Sequence, residues 1–125
     1  MSSINITPAN GNKNLVAGVY NVVYAAPSGC ISATVNARIV SHDLTQNISC
    51  TMYIVPNGYI VGSSVVPNDN TLISPKNVVL GPNGVASGIM EDTSIVLAPG
   101  ETLVVYTDIG FSTSRVHGLV RTIGA

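Results

Sequence analysis

Four times in this chain a proline and a glycine fall together in a turn-length segment beside a Val- and Ile-rich run. The segments are Ala26-Pro27-Ser28-Gly29, Val55-Pro56-Asn57-Gly58, Gly81-Pro82-Asn83-Gly84 and Ala98-Pro99-Gly100-Glu101. Proline presets φ near about −65° early in a turn, and glycine accepts the positive φ needed later. A chain reversed this often, with extended runs between reversals, is constrained to an antiparallel β-domain.

The runs themselves have a period of two. Ile31, Ala33, Val35, Ala37 and Ile39 fall on one face of the stretch 30–40, and Ser32, Thr34, Asn36 and Arg38 on the other. Residues 48–54 repeat the pattern, with Ile48, Cys50, Met52 and Ile54 against Ser49, Thr51 and Tyr53. Helical spacing would scatter those polar side chains over the apolar face, so both stretches are expected to be half-buried strands. A first strand is expected over 16–25, with Tyr20, Val22 and Tyr24 sharing a side. Short strands are expected at 59–61, 71–73, 78–80 and 94–97, while 85–92 reads equally as strand or one helical turn. Residues 102–107 are apolar on both faces, Leu103 and Val105 against Val104 and Tyr106. That strand is expected either between two layers or beneath a neighbouring copy. The last strand is expected over 115–123, after a loop through 109–114.

About eight short strands and no convincing helix predict an all-β fold, an antiparallel β-sandwich of jelly-roll-like form. Branched side chains pack well on a pleated surface, and they dominate the apolar runs. At 125 residues the chain suits one domain, expected over 16–125. Residues 1–15, polar and broken by Pro8 and Gly11, read as an N-terminal arm or loose edge segment, tied down only if Ile4 and Ile6 find partners.

Only 9% of residues are charged although 46% are hydrophobic, where roughly a quarter charged is ordinary. Such a surface points to coverage by identical copies or by a larger assembly. The formal net charge is −1, without a run of either sign. That argues against direct nucleic-acid binding, which needs a basic patch, and no basic amphipathic helix suggests a membrane surface. The first residues lack a charged and then apolar leader pattern, so assembly in the cytoplasm is expected. Cys30 and Cys50 read as small core thiols or as a bridge, since spacing alone does not fix the geometry of a disulfide.

No catalytic constellation is legible, and no enzyme, cofactor or metal is expected. His42 and Asp43 are adjacent, so in a strand they would point oppositely, and no activated serine accompanies them. Glu91 and Asp92 lack the spacing of a calcium loop. Asp43, Asp69, Asp108 and Glu101 lie on separate segments, and Glu101 is placed to accept backbone hydrogen bonds at a turn. Gly81-Pro-Asn-Gly84 lacks the Lys-Ser/Thr ending of a phosphate loop. His117 shares a strand face with Arg115 and Arg121, a modest positive stripe. Tyr20, Tyr24, Tyr53, Tyr59 and Tyr106 carry most of the aromatic area, and tyrosine suits recognition surfaces. The candidate interface residues are Ile4, Ile6, Tyr53, Val104, Tyr106, Arg115, His117 and Leu119.

Two stretches carry a resemblance: 23–40 with Cys50-Thr-Met-Tyr-Ile-Val-Pro-Asn-Gly58, and Ile95-Val-Leu-Ala-Pro-Gly-Glu-Thr-Leu103. The pattern resembles small β-sandwich structural proteins of tailed bacteriophages. It departs from them at Ala37, where an Asn is usual, and 62–92 has no counterpart. The resemblance implies a virion structural protein, foremost an oligomeric capsid decoration or cement subunit that stabilises the head. Its partners would be identical subunits and the major capsid protein or other virion proteins. The arm would add strand-type hydrogen bonds to a neighbour. The alternatives are a tail, neck or fibre subunit, and a carbohydrate-binding module for host recognition built around Tyr53.

Overall fold

The computed structural model describes residues 3–56, 78–82 and 88–124. The expected short strands at 59–61 and 71–73, and the second half of each of the turns at 55–58 and 81–84, lie outside them. Eight strands follow in chain order: β1 (Ile4–Leu15), β2 (Tyr20–Ala25), β3 (Cys30–Ser41), β4 (Ile48–Val55), β5 (Val78–Leu80), β6 (Ile89–Leu97), β7 (Thr102–Thr107) and β8 (Ser112–Ile123). They form two four-stranded antiparallel sheets, sheet A in the order β1-β8-β3-β6 and sheet B in the order β2-β7-β4-β5. This interleaving of early and late strands in both sheets is a jelly roll.

The inner faces seal against each other. Sheet A contributes Ala33, Val35, Ala37, Ile39, Met90, Ile95, Leu97, Val116 and Val120, while sheet B contributes Val23, Ile48, Cys50, Met52, Leu80, Leu103 and Val105. Cys30 and Cys50 stand in different sheets and are both free and buried. A glycine sets the closest approach inside sheet A. A Cβ on Gly118 would overlap the Thr34 carbonyl oxygen and sit 2.7 Å from Val35 Cα, so β8 and β3 require its bare backbone.

Residues 4–15 are spent within the chain. They pair with β8 along their whole length, with Ile4 opposite Ile123, Ile6 opposite Arg121 and Leu15 opposite Ser112. The backbone groups that an arm would offer a neighbour on that side are therefore already bonded to β8.

Three register shifts account for most departures from the period-two reading. A shift between Cys30 and Ser32 buries Cys30 and leaves Ile31 exposed, although Ile31 was expected on the core face. A shift between Val22 and Tyr24 packs Tyr24 against the core, away from the side it was expected to share with Tyr20 and Val22. A third, between Val35 and Ala37, sits opposite Thr93 and Ser94 on β6. Ser94 adopts φ of 56°, and its N–H donates to Asn36 Oδ1 at 2.9 Å. The final strand also starts earlier than expected, because Ser112 and Ser114 face inward, opposite Ser41 and Ile39.

The ends of the sandwich are held by short-range capping. Gly100 takes φ of 78°, the Glu101 N–H bonds to the Ala98 carbonyl at 3.1 Å, and Glu101 Oε1 accepts from the Ala98 N–H at 2.6 Å. Buried Asn21 ties the turn before β2 to β7. Its Oδ1 accepts from the Val16 N–H, and its Nδ2 faces the carbonyls of Val16, Val19 and Val105 at 3.0–3.2 Å.

Candidate interaction surface

Directly opposed residues in an antiparallel sheet share a face, so the registers write the outer face of sheet A as rows across β1, β8, β3 and β6. The most polar row is Asn12, Arg115, Arg38, Glu91, and the next is Asn10, His117, Asn36. Arg38 Nε meets Glu91 Oε1 at 3.3 Å. Arg115 stands directly opposite Arg38, a like-charge placement that disfavours the pairing unless an anion or a polar partner offsets it. Asn36 Nδ2 lies 3.4 Å from His117 Nε2, and its Oδ1 is occupied by Ser94, so that ring nitrogen is the accepting one. A shallow groove of about 510 Å³ runs beside the arginine pair, lined by Asn12, Asn14, Thr113 and Ser114.

Two registers further along, the same face turns apolar. Ile4, Ile6, Leu119 and Ile123 are exposed by 63, 57, 45 and 67%. Arg121 stands among them and donates to Thr34 Oγ1 at 3.2 Å.

Sheet B is different in kind. None of its four strands, YNVVYA, TLVVYT, ISCTMYIV and VVL, carries a charged side chain. Its outer rows are Tyr20-Tyr106-Thr51 and Val22-Val104-Tyr53. The Tyr20 ring lies 5.0 Å from Tyr106 and 6.0 Å edge-on from Tyr53, so Tyr20 is the hub of a three-ring cluster. Val104 sits among these rings and is 0% exposed within one copy. The expectation that a neighbour has to cover it is therefore not needed. Val22 and Val79 remain exposed on this face, with Val19 exposed in the turn before Tyr20.

Of the eight candidate interface residues, Ile4, Ile6, Arg115, His117 and Leu119 gather on the outer face of sheet A. Tyr53, Val104 and Tyr106 gather on the opposite face of the molecule. Sequence reasoning did not single out Tyr20 as the hub or Arg38 as the opposite number of Arg115. Both relations depend on cross-strand register, which no local pattern encodes.

The remaining polar candidates are local. His42 Nε2 lies 2.9 Å from Thr113 Oγ1, and its ring stands edge-on to Phe111. Asp43 Oδ1 accepts from the N–H groups of Thr45 and Gln46, and these bonds hold its carboxyl below the usual carboxylate range. Asp108 Oδ1 caps the Ser49 and Ile109 N–H groups. Burial, reinforced by Asp108, pushes the Cys50 thiol up to about 12. Among the described residues no three His, Cys, Asp or Glu side chains converge as a metal site would require. Asp69 and Tyr59 lie outside the described residues.

No protein-family model matches this sequence, and no curated protein matches it. A solved chain from Bacillus endospore appendages, described as a novel family of disulfide-linked pili, is similar in fold. The two superpose with a TM-score of 0.53 at 11% identity, over 100% of this chain and 92% of that one. The fold thus has a counterpart in a bacterial appendage protein. This overturns the phage resemblance, with the head-stabilising or tail role, the capsid partners and the virion location that went with it. The physical reason is plain. Pro-Gly reversals between alternating strands are what any jelly roll requires, so the matching stretches tracked the architecture rather than a lineage.

Proposed function

We propose that this chain is a non-catalytic structural subunit that polymerises with copies of itself into a surface appendage of the pilus type. The observation that carries this reading is the superposition of the whole of this chain on an appendage chain. The composition supports it, because a 9% charged chain with exposed apolar groups on a sheet face gains by covering that face. In one respect the chain departs from the relative's description. Its two cysteines are buried in separate sheets, so they are not placed to link neighbours. The polymer proposed for this chain is held together without covalent bonds through these thiols.

The test is assembly of the purified protein. Sedimentation velocity and negative-stain microscopy should show filaments that grow with concentration. Denaturing gels run without reductant should show only monomer. A protein that stays monomeric across the accessible concentration range ends this reading, and a reductant-sensitive ladder ends its non-covalent part.

A further inference from the structure

We propose that copies stack face to face, with the outer face of sheet A in one copy seated on the tyrosine-rich outer face of sheet B in the next. The inference rests on the self-assembly reading and specifies its contact.

The edges of the sheets are poorly suited to the task. Among the described residues, β5 is three residues long, β2 carries the shift between Val22 and Tyr24, and β6 carries a shift, Glu91, Asp92 and the left-handed Ser94. β1 is interrupted by Pro8, which offers no N–H. Short length, bulges, charge and proline are the devices that blunt edge-to-edge pairing. The faces are left.

The two faces complement each other. Sheet A presents Arg115 in its polar row and, further along the same face, Arg121 among exposed Ile4, Ile6, Leu119 and Ile123. Sheet B presents uncharged strands, the rings of Tyr20 and Tyr106, and exposed Val22. A guanidinium over a tyrosine face is an attractive pairing that needs no carboxylate, and it gives Arg115 the partner that its position opposite Arg38 lacks. Sheet A against sheet A would set arginines against arginines. Sheet B against sheet B would close a dimer and leave the apolar end of sheet A wet. The unlike pairing propagates through one repeated contact, because a heterologous contact that does not close generates a filament.

The experiment uses the buried native thiols as silent background. Asn12→Cys, in the row of Arg115, and Val22→Cys, in the row of Val104, are made in separate full-length proteins, mixed under assembling conditions and treated with a short bismaleimide. The expected product is the mixed Asn12→Cys/Val22→Cys dimer. Arg115→Gln should weaken assembly by about two- to fivefold, the effect of one exposed cation–π contact. Predominance of either like-with-like dimer overturns the proposal. So does normal polymerisation of both variants without mixed product, which leaves self-assembly standing through another surface. A wild-type protein that never polymerises overturns both.

Discussion

The two sheets share one core chemistry and differ in what they show to the outside. Sheet A alternates cleanly along β3, even across its register shift against β6: Ala33, Val35, Ala37 and Ile39 are buried, while Thr34, Asn36 and Arg38 face outward. Sheet B loses the alternation in β7, one of its two interior strands, where Leu103, Val104 and Val105 are all buried in succession. Among the described residues, all strand-borne charge is on sheet A, whereas sheet B turns three tyrosines outward. A period-two sequence therefore marks a strand with one wet side, and a run without period marks one lined on both sides by apolar or aromatic groups.

The sharpest way to break this comparison is at the centre of sheet A. Gly118→Ala places a methyl on the Thr34 carbonyl and should cost about 3 kcal/mol or more, enough to leave much of the protein unfolded in denaturant titrations. Equal stability would show that β3 and β8 do not approach so closely. Next in size are truncations of matched core residues from each layer. Ile39→Ala in sheet A and Met52→Ala in sheet B should each lose about 2–5 kcal/mol of unfolding free energy. A much smaller loss on one side would mean that its layer collapses onto the cavity.

The thiol in sheet B gives a third test, through pH. Cys50 has its pKa pushed from 9.0 up to about 12, chiefly by burial and then by Asp108. Above about pH 9 the unfolded chain releases this proton while the folded one keeps it. Stability is therefore full below that pH and falls as pH rises toward 12, by at most about 1.4 kcal/mol per pH unit. Tyr24, raised by burial and then by Cys30, adds a loss of the same sign. Cys50→Ala should flatten the slope of chemical-denaturation midpoints against pH, and an unchanged slope would refute the assignment. The smallest effect belongs to the surface of sheet A. Glu91→Gln breaks an ion pair whose side chains are about half exposed and should cost under about 1 kcal/mol.

Much of the fold was legible in the sequence. The strands at 30–41 and 48–55 and the turn at 98–101 follow from alternation and turn chemistry, both local properties. What was not legible is whatever depends on register. Ile31 is itself the extra residue of one bulge and Tyr24 sits one step past another, so neither facing follows the simple alternation. The strand formed by residues 4–15 was hidden for another reason. Apart from Ala9 and Leu15 it buries little, and it is held by backbone bonds to a strand over a hundred positions away. The candidate surface divided in the same way. Polar and apolar types were readable residue by residue, but their separation onto opposite faces became visible only once the strands were paired.

The pairing of β1 with β8 also sets a timetable. The strand of residues 4–15 waits for its sheet partner until β8 has left the ribosome, because among the described residues no other strand lies beside it in sheet A. Closure of that layer is a late event set by a long search along the chain, and topologies of this kind fold slowly. A nascent molecule is thus kept from presenting the completed outer face of sheet A until synthesis has passed Ile123.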